Sequence, residues 1–481
     1  MQKLVQGLEA LYVFHRQKNV IDALLRGEIK DIKVSQSLAI DKIVSFGLRE
    51  GFLKIGLKSF PDPRKTHTVP IEVLLLPQIL QRLNDEHSLL LAPYMLNNAG
   101  LMAELGYNAE VLNEGFNDQN TYERQAPFHG ETLKHVLNNS KDGMLTTWFN
   151  EQWLTHWREK SPGRTHQYIL DGTKINVPFH LYKKYQNAGC VGNEEGTYEY
   201  GYKVVWLYEI IDRKGVIVAL TIVPIQVHDL EAARPLLEKF PFEEKALLIA
   251  DRGFIDAELI THLKTDRKVD TCIPLKKNMQ ATQLAVSLSN HRKLWKDHPT
   301  RPGQWVSELN SDDGSLQWEE CPVIKSGALV RWIKKDGEPH EVLFVTTLKN
   351  KSAKKILEIY DQRTEIEESH RQLKENQGLE KLPSKKFVHV VFRILMSVIG
   401  YNLMVLFLNS EDCKTFEEYS LKTARQKRTL EVNPDVIIYT ETGFAILRMM
   451  QLLPMIMEIT GKPRALLLKL FKNLDLNPAP S

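Results

Sequence analysis

Through the first third of the chain apolar residues recur at three- and four-residue spacing, as in Ile71 to Leu83 and Ser88 to Leu105. That is the period of a helix burying one face, and it predicts a helical region to about Trp157. Around Gln167 the period changes. Tyr168-Ile169-Leu170 runs into Asp171-Gly172, and Tyr202 to Ile211 and Gly215 to Ile225 read as two further strands about the turn Asp212-Arg213-Lys214-Gly215. Three strands in meander order result. Glu231 to Phe240 predicts a helix with Asp229 as its N-cap, and Lys245 to Ala250 predicts an apolar strand ending on Asp251. A helix over Asp256 to Leu263 and a strand near Val269 to Pro274 continue the alternation.

This mixed α/β order is compatible with a ribonuclease-H-like mixed sheet with flanking helices. From Leu294 to about Thr347 the helical period fails, and short apolar runs alternate with turns such as Asp312-Asp313-Gly314 and Asp336-Gly337. A β-rich insertion is expected there. Helical pattern returns from Ser352 to about Gln377, and apolar helices follow on both sides of Asn433-Pro434, including Ala445 to Glu458 and Ala465 to Leu474. The expected domains are therefore 1–160 helical, 161–290 α/β core, 291–348 β-rich insertion, 349–410 second part of the core, and 411–481 helical.

Composition narrows the class without fixing it. The chain has 481 residues, 43% hydrophobic and 26% charged, as expected of a soluble protein with more than one core. A formal charge of +3 is too mild to diagnose a nucleic-acid partner. Arg49, Lys54, Lys58, Arg64 and Lys65 gather around Pro61-Asp62-Pro63, a feature that fits a DNA-contacting arm and a solvated linker equally. Cys190, Cys272, Cys321 and Cys413 lie far apart, supporting neither a disulfide framework nor a zinc site, so a reducing cytoplasm fits best. Met1-Gln2-Lys3 is not followed by a signal-peptide run, and Phe387 to Leu408 carries His389, Arg393 and Asn402, so it reads as a core helix and not a membrane span.

Candidate chemistry rests on acids. Asp171 and Asp251 each close an apolar strand, where carboxylates can converge at one edge of a sheet; singly, such residues also simply open turns. Tyr360, Arg363, Glu367 and Lys374 follow the spacing Y-(2)-R-(3)-E-(6)-K, which on one continuous helix falls within a stripe about 60° wide and about 21 Å long. A carboxylate flanked by cations and an aromatic suits a phosphate backbone. The same helix also reads as a salt-bridged solvated face, since Arg363 with Glu367 and Glu367 with Arg371 are i,i+4 pairs. Glu365 and Glu368 are alternative third carboxylates, but each lies roughly 100° or more off the stripe. Three carboxylates suit Mg²⁺ or Mn²⁺, and two such ions roughly 4 Å apart can serve the attacking and leaving oxygens. His166, His180, His228 and His370 are scattered and do not suggest zinc chemistry.

Together these residues resemble the insertion-sequence-four family of DDE transposases. In that family a first Asp precedes Gly-Thr, a second precedes a turn with Gly and an aromatic, and the Y-R-E-K signature holds the catalytic Glu. The likeness covers roughly Gln167 to Leu408. It implies a ribonuclease-H-like core and a β-rich insertion, with Asp171, Asp251 and Glu367 holding two Mg²⁺ ions, for which Mn²⁺ can substitute. Tyr360, Arg363 and Lys374 would contact phosphates, with Arg252 and Arg371 as further DNA contacts. The family cleaves and joins DNA at the inverted repeats of its element, often through a hairpin, and Trp295, Trp305, Trp318 and Trp332 are candidates to stack on a flipped base, with core packing as the alternative for each. A homodimer on paired DNA ends and a bacterial or archaeal cytoplasm are further expectations. A catalytically silent DNA-binding regulator and a nuclease without strand transfer are the competing readings.

Overall fold

The computed structural model describes residues 39–83, 128–141, 143–153, 166–192, 196–211, 214–334, 337–376, 378–382 and 384–410, with 12–14, 31–35, 92–96, 99–107, 435–441, 443–448 and a few isolated positions. The chain divides into two compact units, Met1–Ser140 with Leu406–Ser481, and Lys141–Val405.

The larger unit is built on one ten-stranded mixed sheet. Its first strands are β1 (Gln167–Asn176), β2 (Gly189–Gly192), β3 (Tyr198–Ile211) and β4 (Lys214–Pro224). β1 pairs antiparallel with β3, and β3 pairs antiparallel with β4, giving the expected meander. β5 (Leu247–Ala250) then lies parallel to β1, and β6 (Asp270–Pro274) parallel to β5. The order β4-β3-β1-β5-β6 is that of a ribonuclease-H-like sheet, with β2 sharing the far edge of β3. Helices α1 (Asp229–Lys239) and α2 (Ala257–Thr265) connect the parallel strands. Asp256 caps α2 by accepting the Leu259 N–H at 2.7 Å. For α1 the cap is His228, whose Nδ1 accepts the Leu230 N–H at 3.2 Å. Asp229, expected as the cap, is the first helical residue instead, which leaves its carboxylate for another partner.

The β-rich insertion joins this same sheet. Beyond α3 (Gln280–His291), strands β7 (Trp295–Asp297), β8 (Gln304–Asn310), β9 (Ser326–Ile333) and β10 (Pro339–Thr346) form an antiparallel run. β10 docks on β6 with Phe344 opposite Pro274. Helices α4 (Ala353–Asp361), α5 (Thr364–Asn376) and α6 (Phe387–Leu408) follow. The helical pattern expected from Ser352 to Gln377 is thus two helices. Ser352 caps α4, and the Thr364 hydroxyl donates to the Asp361 carbonyl at the junction, diverting the backbone from continuous hydrogen bonding.

α6 is apolar on every side, and its length and composition would suit a membrane span, yet it is buried within the protein, as a core helix is. Its Asn402 amide accepts the Ile217 N–H at 2.9 Å and donates to the Ile217 carbonyl at 2.7 Å. Asn150 does the same for Leu220 at 2.9 and 2.8 Å. Two side-chain amides therefore complete the hydrogen bonds of β4, an edge strand. At Gly201 a Cβ would stand 2.0 Å from the Ile175 carbonyl oxygen, and φ is +143°, so only glycine permits the approach of β1 to β3 there.

In the smaller unit helices lie at Ala39–Arg49, Phe52–Lys58, Ile71–Leu83, Ala99–Leu105 and Glu131–Asn138. The expected segment Ile71 to Leu83 is one helix, while in Ser88 to Leu105 the described residues form a 3-10 turn, Ala92–Leu96, and the helix Ala99–Leu105. A four-stranded antiparallel sheet accompanies them, ordered Tyr12–Phe14, Gly443–Arg448, Asp435–Thr440, Asp31–Ser35. The helix expected from Ala445 is corrected at its start, because Ala445 to Arg448 lies in a strand paired with residues some four hundred positions away. The remainder of that helix, and Ala465 to Leu474, lie outside the described residues.

Candidate active site

Leu170 of β1 stands opposite Ala250 of β5 in parallel register. One residue further come Asp171 and Asp251. Asp171 lies inside β1 and does not close it as expected, because pairing with β3 continues to Asn176; Asp251 sits just past the end of β5. The two strands are ordinarily about 4.8 Å apart. Both carboxylates therefore emerge at one level of the sheet. Asp171 is buried, and its Oδ1 accepts the Gly172 N–H at 2.9 Å. Asp251 is more open, and its Oδ1 accepts the Arg252 N–H at 2.7 Å.

The residue that unites them is Arg363. Its Nη2 lies 3.3 and 3.4 Å from the two Asp171 oxygens and 3.4 Å from Asp251 Oδ2. Its Nη1 is 3.8 Å from Glu367 Oε1, and its Nε is buried with no hydrogen-bond partner. Arg363 can reach inward because it sits at the joint between α4 and α5, where its N–H bonds back to Tyr360 at 3.0 Å. The four signature residues therefore do not lie on one straight helix, and the stripe drawn across 360–374 bends at 362–363.

Burial raises the Asp171 carboxyl above its ordinary range, outweighing the Arg363 charge and the Gly172 N–H. Burial pulls the Arg363 pKa down, but Asp171 and Asp251 more than offset it. Burial also pushes the Tyr360 phenol to about 12, and its ring lies 4.8 Å from that of Phe344.

The structure brings Asp171, Asp251 and Arg363 into contact, while Glu367 stands beyond the guanidinium with a mostly exposed side chain. Among the described residues no three His, Cys, Asp or Glu side chains are grouped as metal ligands. As a donor set the three carboxylates nevertheless fit a hard divalent cation, and Arg363 supplies the positive charge between them here. Arg252 is exposed beside Asp251, Arg371 is exposed on α5, and Lys374 pairs with Glu380 at 3.3 Å.

The four tryptophans fall in different settings. Trp318 is buried and donates to Glu320 at 2.8 Å. Trp295 is covered by the Arg331 guanidinium, 4.0 Å from its ring centre, and shares a sheet face with the half-open Trp305. Trp332 projects from the other face, 4.4 Å from the His340 ring, and lines a cavity of about 130 Å³ with Gln304, Phe344, Leu357 and Asp361. That face is the one against which α4 and Tyr360 pack.

Two features escaped the linear sequence. His370 lies behind the carboxylates, its Nε2 accepting the Trp206 Nε1–H at 2.8 Å. Burial, reinforced by Lys374 and Arg363, pushes its pKa to about 4, so the ring is neutral and its 3.9 Å approach to Asp171 is not an ion pair. Its position three residues after Glu367 was the only signal. The second is Asp229, paired to Lys203 at 2.6 Å and lying against Gly172 and Gly253, beside the two aspartates. A Cβ at Gly253 would meet its Oδ2 at 3.2 Å, which explains glycine two residues after Asp251.

Comparison with known proteins gives a family likeness and a structural likeness. The family model described as a transposase DDE domain matches residues 163–403. The solved cryo-EM structure of a piggyBac transposase synaptic complex with hairpin DNA is similar over 91% of this chain and 86% of that one, at 9% identity and a TM-score of 0.42. No curated protein matches the sequence.

Proposed function

The chain belongs to the family of transposase DDE domains, and from that premise we propose that it is a cut-and-paste DNA transposase of the insertion-sequence-four type, with Asp171, Asp251 and Glu367 as its catalytic acids. The observation that carries this reading is the pair of aspartates, Asp171 within β1 and Asp251 at the end of β5, brought side by side by the parallel register and joined through Arg363 to the helix of Glu367.

In this reading the three carboxylates hold Mg²⁺, or Mn²⁺ in its place, two ions in all. Bound there, the ions supply Lewis-acid activation of the attacking oxygen and charge stabilisation at the leaving one. Asp171, partly desolvated, is poised to favour a cation over water. Arg363 then turns from the aspartates toward a phosphate, a role its planar donors suit. Arg252, Arg371, Lys374 and the Tyr360 hydroxyl are the further contacts to the DNA backbone. Trp332 is the preferred stacking residue of the four tryptophans, because it opens on a cavity on the Tyr360 side of the sheet. The substrate is the element's own terminal inverted repeats, held by a homodimer in the cytoplasm of the host, with 1–160 binding DNA and 411–481 serving assembly.

A second reading draws on the placement of Glu367 beyond Arg363: a DNA-binding protein that does not cut. Incubating an end-labelled duplex that carries the element's terminal repeats with Mg²⁺ separates the two. The transposase nicks it and joins the product to target DNA. Asp171→Asn, Asp251→Asn and Glu367→Gln each lose cleavage by at least a hundredfold, while duplex binding stays within about threefold. Normal cleavage by any one variant removes that residue from the site, and absence of metal-dependent nicking by the native chain sinks the proposal.

A further inference from the structure

Beyond Asn176, β1 runs into a short 3-10 turn, Phe179–Lys184, that lays rings and ammonium groups open together. Phe179 is 69% and Tyr198 64% exposed, unusual for such large apolar side chains. Tyr200 lies among them, its ring centre 5.1 Å from that of Phe179 and 4.5 Å from that of Tyr182. Together with Lys183 and Lys184 these rings line an open groove of about 590 Å³.

The groove is held in place from behind. The Tyr185 hydroxyl donates to the Leu382 carbonyl at 3.0 Å, the Gln186 N–H to the Lys385 carbonyl at 2.9 Å, and the Tyr202 hydroxyl to the Gln186 carbonyl at 2.6 Å. The Gln186 bond sets the backbone of the exposed Lys385 in contact with the chain two residues beyond Lys184. Glu199, which strand alternation places on the opposite side of β3 from Tyr198 and Tyr200, is paired to Lys174. Glu194 and Glu195 lie outside the described residues.

We propose that this face is a stacking platform for an unpaired DNA strand. It rests on the reading of the carboxylates as a DNA-cutting centre, to which β1 connects it: Asp171 to Val177 spans about 20 Å of extended strand. Exposed rings stack on the faces of bases, which a paired duplex keeps covered, and lysines beside them neutralise the phosphates between stacked bases. Charge complementarity and the alternation of rings with ammonium groups favour a nucleic-acid strand over an apolar protein partner.

The test is fluorescence anisotropy with two labelled probes, a twenty-nucleotide oligo-dT and a blunt duplex, on the full chain and on Phe179→Ala/Tyr198→Ala and Lys183→Ala/Lys184→Ala. All four side chains point into solvent or the open groove, so the variants should fold, and unchanged duplex binding checks this. The aromatic double variant is expected to lose about tenfold or more in affinity for oligo-dT while duplex affinity moves less than twofold. The lysine double variant should lower the slope of log K against log salt on oligo-dT by about 1.4. Unchanged oligo-dT affinity in the aromatic variant overturns the platform, as does an equal loss on both probes. If the native chain cuts and binds duplex while the aromatic variant holds oligo-dT as well as native, only the platform fails. If the native chain binds neither probe, the DNA-cutting reading fails with it.

Discussion

His370 illustrates how a side chain with little signal in the linear sequence can shape a site. Enclosed by Trp206 and Tyr208 and holding the Trp206 N–H, it is kept neutral behind Asp171. Its folded pKa of about 4 lies below the ordinary 6.5, so the unfolded chain binds that proton more tightly. Stability from this residue is therefore full above pH 6.5 and is lost as pH falls toward 4, by on the order of 3 kcal/mol. Asp171 acts in the opposite sense: its raised pKa means the folded state holds the proton longer, and its contribution declines as pH rises above the ordinary carboxylate range. Urea unfolding of the native chain and of His370→Asn at pH 7.5, 5.5 and 4.5 resolves the two. The variant should show a distinctly shallower fall, and an identical fall in both would dismiss the neutral-histidine account. Asp251 was legible because a polar residue closing an apolar strand is a linear pattern; Asp171 was legible as the acid that follows the apolar run Tyr168-Ile169-Leu170, although its strand continues to Asn176. His370, Trp206 and Asp229 were not, because their roles arise from contacts between β3, α1 and α5 that spacing does not encode.

Among elements, the meander followed from the change of hydrophobic period near Gln167, and the strands ending at Ala250 and Pro274 from their apolar runs, while their parallel pairing is seen only in the structure. What period could not show is where a helix is interrupted without losing its rhythm. Apolar spacing continues through Gln362 and Arg363, yet the Thr364 hydroxyl takes the Asp361 carbonyl and divides α4 from α5. Gly201 is a comparable local decision, since the β1–β3 register depends on a residue without a Cβ. Gly201→Ala is expected to destabilise the catalytic unit by about 3 kcal/mol or more, through both the positive φ and the carbonyl clash. A thermal midpoint within a degree of the native value would show that the strands part there at no cost.

At the scale of the molecule, the insertion was legible as β-rich from its turns, but its attachment was not, because pairing between β10 and β6 is a relation between residues about seventy positions apart. The terminal sheet was hidden for the same reason, its strands being brief and their partners at the other end of the chain. Since β10 covers the edge of β6, residues 291–348 are part of the same sheet that carries Asp171 and not an appendage. Replacing them with a short Gly/Ser linker should expose that edge and give aggregated or early-melting protein. A monomeric product with native thermal stability would show the insertion to be dispensable.

The amides of Asn402 and Asn150 bear on how copies of this chain can meet. They occupy, from the side, the same donor and acceptor sites on β4 that a neighbouring backbone would use at Ile217 and Leu220. A second molecule finds no open ladder along that stretch, so sheets cannot fuse there into a continuous ribbon. Strand-to-strand pairing between copies is thereby directed away from this stretch and toward the opposite edge of the sheet, at β7.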